Sequence, residues 1–331
     1  MSNEILLKNL DATYKALELS DIGDSVLQPV KFDAFVRTML RRTNVLEQAR
    51  FIPMDSQQVD IDRISFGNRV VTATVASNGS VKGTETGVKP TVGTNKLQAV
   101  EIRAKMGVTD RTLRRNIEQG GLEQTLQDLF AEAAGRDVEE FGLLSRTDIT
   151  DADILHLSAT NGWAELAGNK LYDVSTTATG DSGWPVNLFE ELIGALPAQY
   201  LVDRRDWRLY VPFSVEQAYR KYLRVRKTPL GDTATTGSQP VFFEGFQIES
   251  TAMLERSKDY NAATGTMGDI AMLQHPDNMV WGLFHEMQIE PDRNPSTRST
   301  DFYLTMEGDV HYEDANAAVV AYIDAPDPSA T

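Results

Sequence analysis

Residues 120–144 read GGLEQTLQDLFAEAAGRDVEEFGLL. Leu122, Leu126, Leu129, Phe130, Ala133, Val138, Phe141 and Leu144 recur at helical spacing and trace one apolar face over about six turns. Gly120-Gly121 stand before it and no proline lies inside, so the pattern predicts an uninterrupted helix. At 1.5 Å per residue such a helix is roughly 35 Å long, which suits a structural spine.

Upstream of it the period changes to two. Val59, Ile61 and Ile64 precede a turn at Gly67-Asn68, and Val70, Val71, Thr72, Thr74 and Val75 are β-branched, as a strand prefers. The polar stretch from Ala76 to Asn95 holds Gly79, Gly83, Gly87, Gly93 and Pro90; Leu97, Val100, Ile102, Ala104, Met106 and Val108 then restore strand character. A long two-stranded excursion with a flexible tip is expected. An isolated hairpin is marginal in water and long loops without a role are uncommon, so these strands are expected to pair or pack on another chain. Residues 1–50 read as an arm with helical pieces: Leu6, Leu7, Leu10, Tyr14 and Leu17 keep helical spacing, Gly23 and Pro29 interrupt, and Phe32, Phe35, Val36, Met39 and Leu40 resume it.

Downstream, residues 145–186 hold few strong periods, and Asn161-Gly162, Gly168-Asn169 and Thr176 to Gly183 read as turns and an inserted loop. Asn187 with Glu190, and Ser214 with Gln217, fit helix N-caps with a reciprocal acid or amide three residues on. Between these helices Trp207, Leu209 and Val211 alternate with Arg208 and Tyr210, giving helix, strand, helix. After a loop from Pro229 to Pro240, strands are predicted at Phe246–Ile248, Ile270–Leu273, Met279–Glu290, Phe302–Met306 and Ala318–Ile323. The fold class is α+β, without an internal repeat.

The chain has 331 residues, enough for a large core. Lys plus Arg is 32 against 48 Asp plus Glu, a net charge of −16, which argues against a surface that grips nucleic acid or anionic lipid throughout. Cysteine is absent, which excludes disulfides, thiolate metal sites and cysteine nucleophiles. No stretch approaches the ~20 apolar residues that span a bilayer, and Met1 to Leu10 lacks a signal-peptide pattern, so the chain reads as soluble.

Chemistry-bearing motifs are few. Gly180-Asp181-Ser182-Gly183-Trp184-Pro185 is similar to the nucleophile loop of chymotrypsin-like proteases, but Ser182 would need a histidine and an orienting acid. The one upstream histidine, His156, stands 26 residues before it in no suitable context. His156, His275, His285 and His311 include no pair at metal-ligand spacing, and neither a Walker loop nor a Rossmann glycine pattern occurs. No catalytic residue, cofactor or metal ligand is assigned.

Two basic clusters stand against the acidic average. Arg103, Lys105, Arg111, Arg114 and Arg115 have Asp110 as the one acid among them. Arg204, Arg205, Arg208, Arg220, Lys221, Arg224, Arg226 and Lys227 outnumber Asp203, Asp206 and Glu216. A nucleic-acid groove would add stacking aromatics, whereas Tyr219 and Tyr222 lie at helical core spacing. Solvated helix faces are the plain alternative. Contacts to acidic patches of identical neighbours are favoured, because opposite charge within one chain supports self-association in fixed register.

Taken in order, the arm, the β excursion, the spine helix and the mixed C-terminal half resemble the major capsid proteins of tailed bacteriophages, whose fold is shared with herpesvirus capsid floor domains and encapsulins. The resemblance is carried by Thr109-Asp110-Arg111-Thr112-Leu113 leading to the spine helix, by Leu209-Tyr210-Val211-Pro212, and by His275 to Gly282 running through Ile289-Glu290-Pro291-Asp292-Arg293 to Phe302-Tyr303-Leu304-Thr305.

It implies an N-terminal arm (1–51), an extended loop (52–108), a peripheral domain with the spine helix (109–186), an axial domain (187–275), and strands returning to both (276–331). The implied function is a non-enzymatic shell subunit that forms hexamers and pentamers of an icosahedral viral head around double-stranded DNA, bound non-specifically. It would be assembled in the host cytoplasm and kept in the virion. Separate scaffold, portal and decoration proteins are implied as possible partners, and no membrane.

Inter-subunit contacts are expected of Arg103, Lys105, Arg111, Arg114, Arg115, Arg220, Lys221, Arg224, Arg226 and Lys227. Lys82 and Lys89 near the loop tip are expected to join them, without a cross-link. An encapsulin-like shell and a serine hydrolase using Ser182 are the alternatives. Many weak interfaces act together through effective concentration, and segments that order on assembly can reach across neighbours. An acidic lumen would let packaged DNA slide.

Overall fold

A computed structural model of the chain describes residues 44–65, 90–109, 122–149, 157–174, 184–225, 240–255, 261–262, 265–266 and 269–323. The elements begin with α1 (Asn44–Gln48), β1 (Arg50–Met54), β2 (Gln58–Ser65), β3 (Thr91–Gln98), β4 (Val100–Thr109) and the spine helix α2 (Leu122–Leu144). They continue with α3 (Trp163–Leu166), β5 (Asn169–Val174), α4 (Trp184–Ala195), β6 (Arg208–Val211), α5 (Phe213–Val225), β7 (Val241–Phe243) and β8 (Phe246–Ser250). The rest are α6 (Ala252–Glu255), a two-residue pair β9 (Asn261–Ala262) and β10 (Gly265–Thr266), β11 (Ile270–Gln274), β12 (Met279–Asn294), β13 (Ser299–Tyr312) and β14 (Val319–Ile323).

Two sheets organise the molecule: a mixed six-stranded one in the order β5-β14-β11-β6-β8-β7 and a four-stranded one in the order β1-β12-β13-β4. β11 (IAMLQ) and β14 (VVAYI) are buried at every position, as continuous apolar runs must be when both faces of a sheet are covered. The two-residue period sorts their side chains. Tyr210, Ile270, Met272, Val320 and Tyr322 join one core, which also contains Ala134, Val138, Phe141 and Leu144 of the spine helix and Trp281, Leu304, Met306 and Val310 of the four-stranded sheet. Leu209, Val211, Ala271, Leu273, Val319, Ala321 and Ile323 join a second core with Leu188, Phe189 and Leu192 of α4 and Val215, Tyr219 and Leu223 of α5.

The spine helix spans Leu122–Leu144, as its apolar period predicts. A Cβ at Gly142 would stand 3.2–3.3 Å from Val310 and the Trp163 ring, so the absence of a side chain there brings α2 close to α3 and β13.

Several sequence expectations change. The strand character from Leu97 to Val108 divides at Ala99: β3 pairs antiparallel with β2, whereas β4 pairs with β13, from Gly308↔Val100 to Ser299↔Thr109. Asn187 lies inside α4, which starts at Trp184-Pro185, proline being suited to a first helical turn. Ser214 lies one residue inside α5 and donates its hydroxyl to Asp269 (3.1 Å), while the Pro212 carbonyl accepts the N–H groups of Val215 and Glu216.

β5 begins at the expected turn residue Asn169 and runs through a stretch for which no strand was predicted. It is an edge strand parallel to β14, and Tyr172 stacks on Tyr322 with centroids 5.0 Å apart. The expected pieces within residues 1–43, the turn and strand at 67–75, most of the 76–95 tip and the 176–183 loop lie outside the described residues. None of the described helices is long and apolar enough to cross a membrane.

Candidate assembly surfaces

The β2-β3 hairpin is built on the four-stranded sheet through several contacts at its root. Gln98 donates its N–H to Asp309 Oδ2 at 2.8 Å, and the Asn95 amide donates to the carbonyls of Tyr312 (2.7 Å) and Glu313 (3.1 Å). Arg63 forms an ion pair with Asp314, which also accepts the Tyr200 hydroxyl at 2.6 Å. Met54, Ile61, Leu97, Ala99 and Val280 form a small third core beneath the hairpin. Gly282 on β12 makes room for it, since a Cβ there would meet Met54 Sδ at 2.7 Å and Leu97 Cδ1 at 3.0 Å.

Alternation along β2 turns Val59 and Ile61 towards the body and Gln58, Asp60, Asp62 and Ile64 outward. The outward pair Ile64↔Val92 is apolar and 70% and 59% exposed.

A second root lies at α1. Val45 donates its N–H to Glu139 on the spine helix at 2.8 Å, and burial pushes the Glu139 carboxyl up against that favourable bond. Gln48 bridges to the six-stranded sheet: its amide donates to Glu249 (2.6 Å) and its carbonyl accepts the Tyr210 hydroxyl (2.8 Å). Burial likewise raises Asp309, opposed by the Gln98 N–H and the Thr160 hydroxyl, and drives the Tyr210 phenol far above its ordinary value. Sequence reasoning did not single out Val45, Asn95, Gln98 or Asp309, because the partners of Asn95, Gln98 and Val45 lie roughly a hundred or two hundred residues away.

The expected contact cations fall into three groups. Arg103 pairs with Glu101 (2.6 Å) on its own strand, Lys105 with Asp301 (2.7 Å) on β13, and Arg220 with Glu216 (2.7 Å) one turn back on α5. The Lys105 ammonium also sits 5.1 Å from the Tyr303 ring centre, and its bond to Asp301 raises its pKa. Lys221 and Arg224 stand exposed on α5 with no ion-pair partner among the described residues. Arg111, Arg114, Arg115, Arg226, Lys227, Lys82 and Lys89 lie outside the described residues.

A cleft of about 370 Å³ is lined by Arg63, Tyr200, Asp203, Trp207, His275 and Asp314, among others. His275 uses Nδ1 to accept the Asp277 N–H at 3.2 Å, so its ring serves the local turn. Among the described residues no group of His, Cys, Asp and Glu has the arrangement of a metal site. His156 and Ser182 lie outside the described residues.

The architecture matches that of capsid subunits. In the structure of a satellite phage P4 procapsid that includes the size determination (Sid) protein, the matching chain superposes with a TM-score of 0.64 at 14% identity, over 98% of both chains. A Mycobacterium phage Ogopogo chain gives 0.57 at 13% identity over 85% of this chain and 92% of its own. A chain in the capsid of an empty GTA particle, computed with C5 symmetry, gives 0.54 at 14% identity over 85% and 90%. The fold is therefore that of the phage capsid proteins.

No family model matches the sequence. In sequence the chain is 28% identical over 325 residues to YqbE of Bacillus subtilis (strain 168), described as a prophage capsid protein, covering 96% of this chain and 97% of that one. The likeness thus runs over nearly the whole length, in sequence to a prophage capsid protein and in fold to a chain of a phage procapsid.

Proposed function

We propose that this chain is the principal shell subunit of a viral head, assembling as hexamers and pentamers into an icosahedral shell that encloses double-stranded DNA. The observation that carries the reading is end-to-end similarity to a subunit from a procapsid, over 98% of both chains. The subunit's own design supports it: a hairpin fastened at its root by Asn95, Gln98 and Arg63 projects an apolar pair, Ile64 and Val92, that its own body leaves uncovered.

In this reading residues 1–51 are an arm, 52–108 the extended loop, 109–186 and 187–275 the peripheral and axial bodies, and 276–331 the strands that return to both. β1 (Arg50–Met54), which straddles the boundary between the first two segments, is paired with β12 and so ties them to those strands. The chain performs no catalysis. Its partners are copies of itself, with a separate scaffold, a portal and a decoration protein as further candidates, and the acidic surface leaves packaged DNA free to slide. Assembly takes place in the host cytoplasm and the product resides in the virion.

Negative-stain electron microscopy of the expressed protein, with and without its scaffold partner, tests the reading. Rings of five and six or closed shells are the expected result; compact monomers under both conditions overturn it.

A further inference from the structure

Accounting for charge within the subunit leaves an uneven remainder on the axial body. Of the described cations expected to reach neighbours, Arg103, Lys105 and Arg220 are paired internally, whereas Lys221 and Arg224 are exposed without a partner among the described residues. They share one stripe of α5 with Phe213, which is 54% exposed. α4 carries the opposite charge: Glu190 and Glu191 are exposed, likewise without a partner among the described residues. Beside them a Cβ at Gly194 would meet nothing within 4 Å, leaving a bare patch.

The two helices touch through Phe189 and Tyr219, whose ring centroids are 5.3 Å apart, and pack on the same face of the six-stranded sheet, α4 over β5, β14 and β11 and α5 over β8. One subunit thus presents an acidic helix over one half of its sheet and a basic helix over the other. Complementary patches at different places on one body suit a heterologous, head-to-tail contact, which closes into rings; an isologous pair also satisfies the charges by setting each α4 on the other copy's α5, so the ring geometry rests on the shell reading.

We propose that the α4 surface of one copy, through Glu190 and Glu191, docks on the α5 surface of the next, through Lys221 and Arg224, with Phe213 covered at the junction. The proposal rests on the shell reading and names the contact that propagates the ring.

Charge reversal with rescue tests it, read by sedimentation and class-averaged electron microscopy. Glu190→Lys with Glu191→Lys, or Lys221→Glu with Arg224→Glu, places like charges across every junction, and the assembled fraction should fall roughly tenfold. The neutral pair Glu190→Gln with Glu191→Gln should give a smaller loss. All four reversals in one chain should restore assembly.

Mixing the two reversed proteins permits only alternating copies, so six-membered rings should return and five-membered rings should not. Assembly indifferent to both reversals overturns the contact. So do folded reversed variants that neither the four-site swap nor mixing rescues. A wild-type chain that never assembles overturns the shell reading itself.

Discussion

Asp309, buried on β13, accepts the N–H of Gln98, the last residue of the hairpin's return strand, at 2.8 Å. Its other oxygen accepts the Thr160 hydroxyl at 3.0 Å. One carboxylate therefore joins the extended hairpin, the four-stranded sheet and the loop before α3.

Burial raises the Asp309 pKa above its ordinary 3.8, so the folded state binds this proton at higher pH than the unfolded chain does. Stability from this group then grows as pH falls from neutral towards 3.8 and is lost as pH rises through the folded-state value. Denaturant titrations at several pH values should show that Asp309→Asn removes this slope. An unchanged slope would show that the carboxyl does not titrate as its burial requires.

Asn95→Ala removes two bonds to the carbonyls of Tyr312 and Glu313 and should cost about 1–2 kcal/mol. Amide hydrogen exchange should quicken in residues 58–65 and 91–98 while β11 and β14 stay protected. Uniform loss of protection would mean that the hairpin root is not a local unit.

Gly282→Val would drive a side chain into Met54 and Leu97, which a bare Cβ already meets at 2.7 and 3.0 Å. Overpacking of this kind costs about 1–3 kcal/mol. The midpoint of urea unfolding should drop, and with it, on the proposed function, the shell yield; wild-type stability would show that the hairpin accommodates the bulk by shifting.

Tyr312→Phe deletes the hydroxyl that donates to the Trp163 carbonyl (2.9 Å) and accepts from the Gln274 amide (2.5 Å). Gln274 is fully buried, so its orphaned donor should cost about 1–3 kcal/mol. Adding Gln274→Met should recover part of the loss, a coupling that a double-mutant cycle measures directly.

How much of this was legible depended on the range of the physics involved. The spine helix was readable because Leu122 to Leu144 carry their own period, and β12 because its strand character is long, whereas β13, Ser299–Tyr312, was read only over Phe302–Met306. The break at Ala99 was not, since β3 and β4 have the same local preference and differ only in partner: β2 for one and β13, some two hundred residues on, for the other. β5 was missed because its stability comes from docking beside β14 and from Tyr172 on Tyr322. The basic clusters were visible, but not that Asp301 neutralises Lys105 while Lys221 and Arg224 are left to solvent.

By itself, the sequence determined an α+β chain that is acidic and cysteine-free, with one long helix, strands on either side of it, and an order of elements that resembles a capsid subunit. Those properties follow from composition and from periods of two and 3.6, which neighbours along the chain impose on one another. The tertiary structure decided which strand edges pair, which carboxylates are buried at α1 and at the hairpin root, and which charges are exposed without a partner among the described residues. Each of these depends on groups far apart in sequence meeting at a few ångströms, where burial and pairing set their energies.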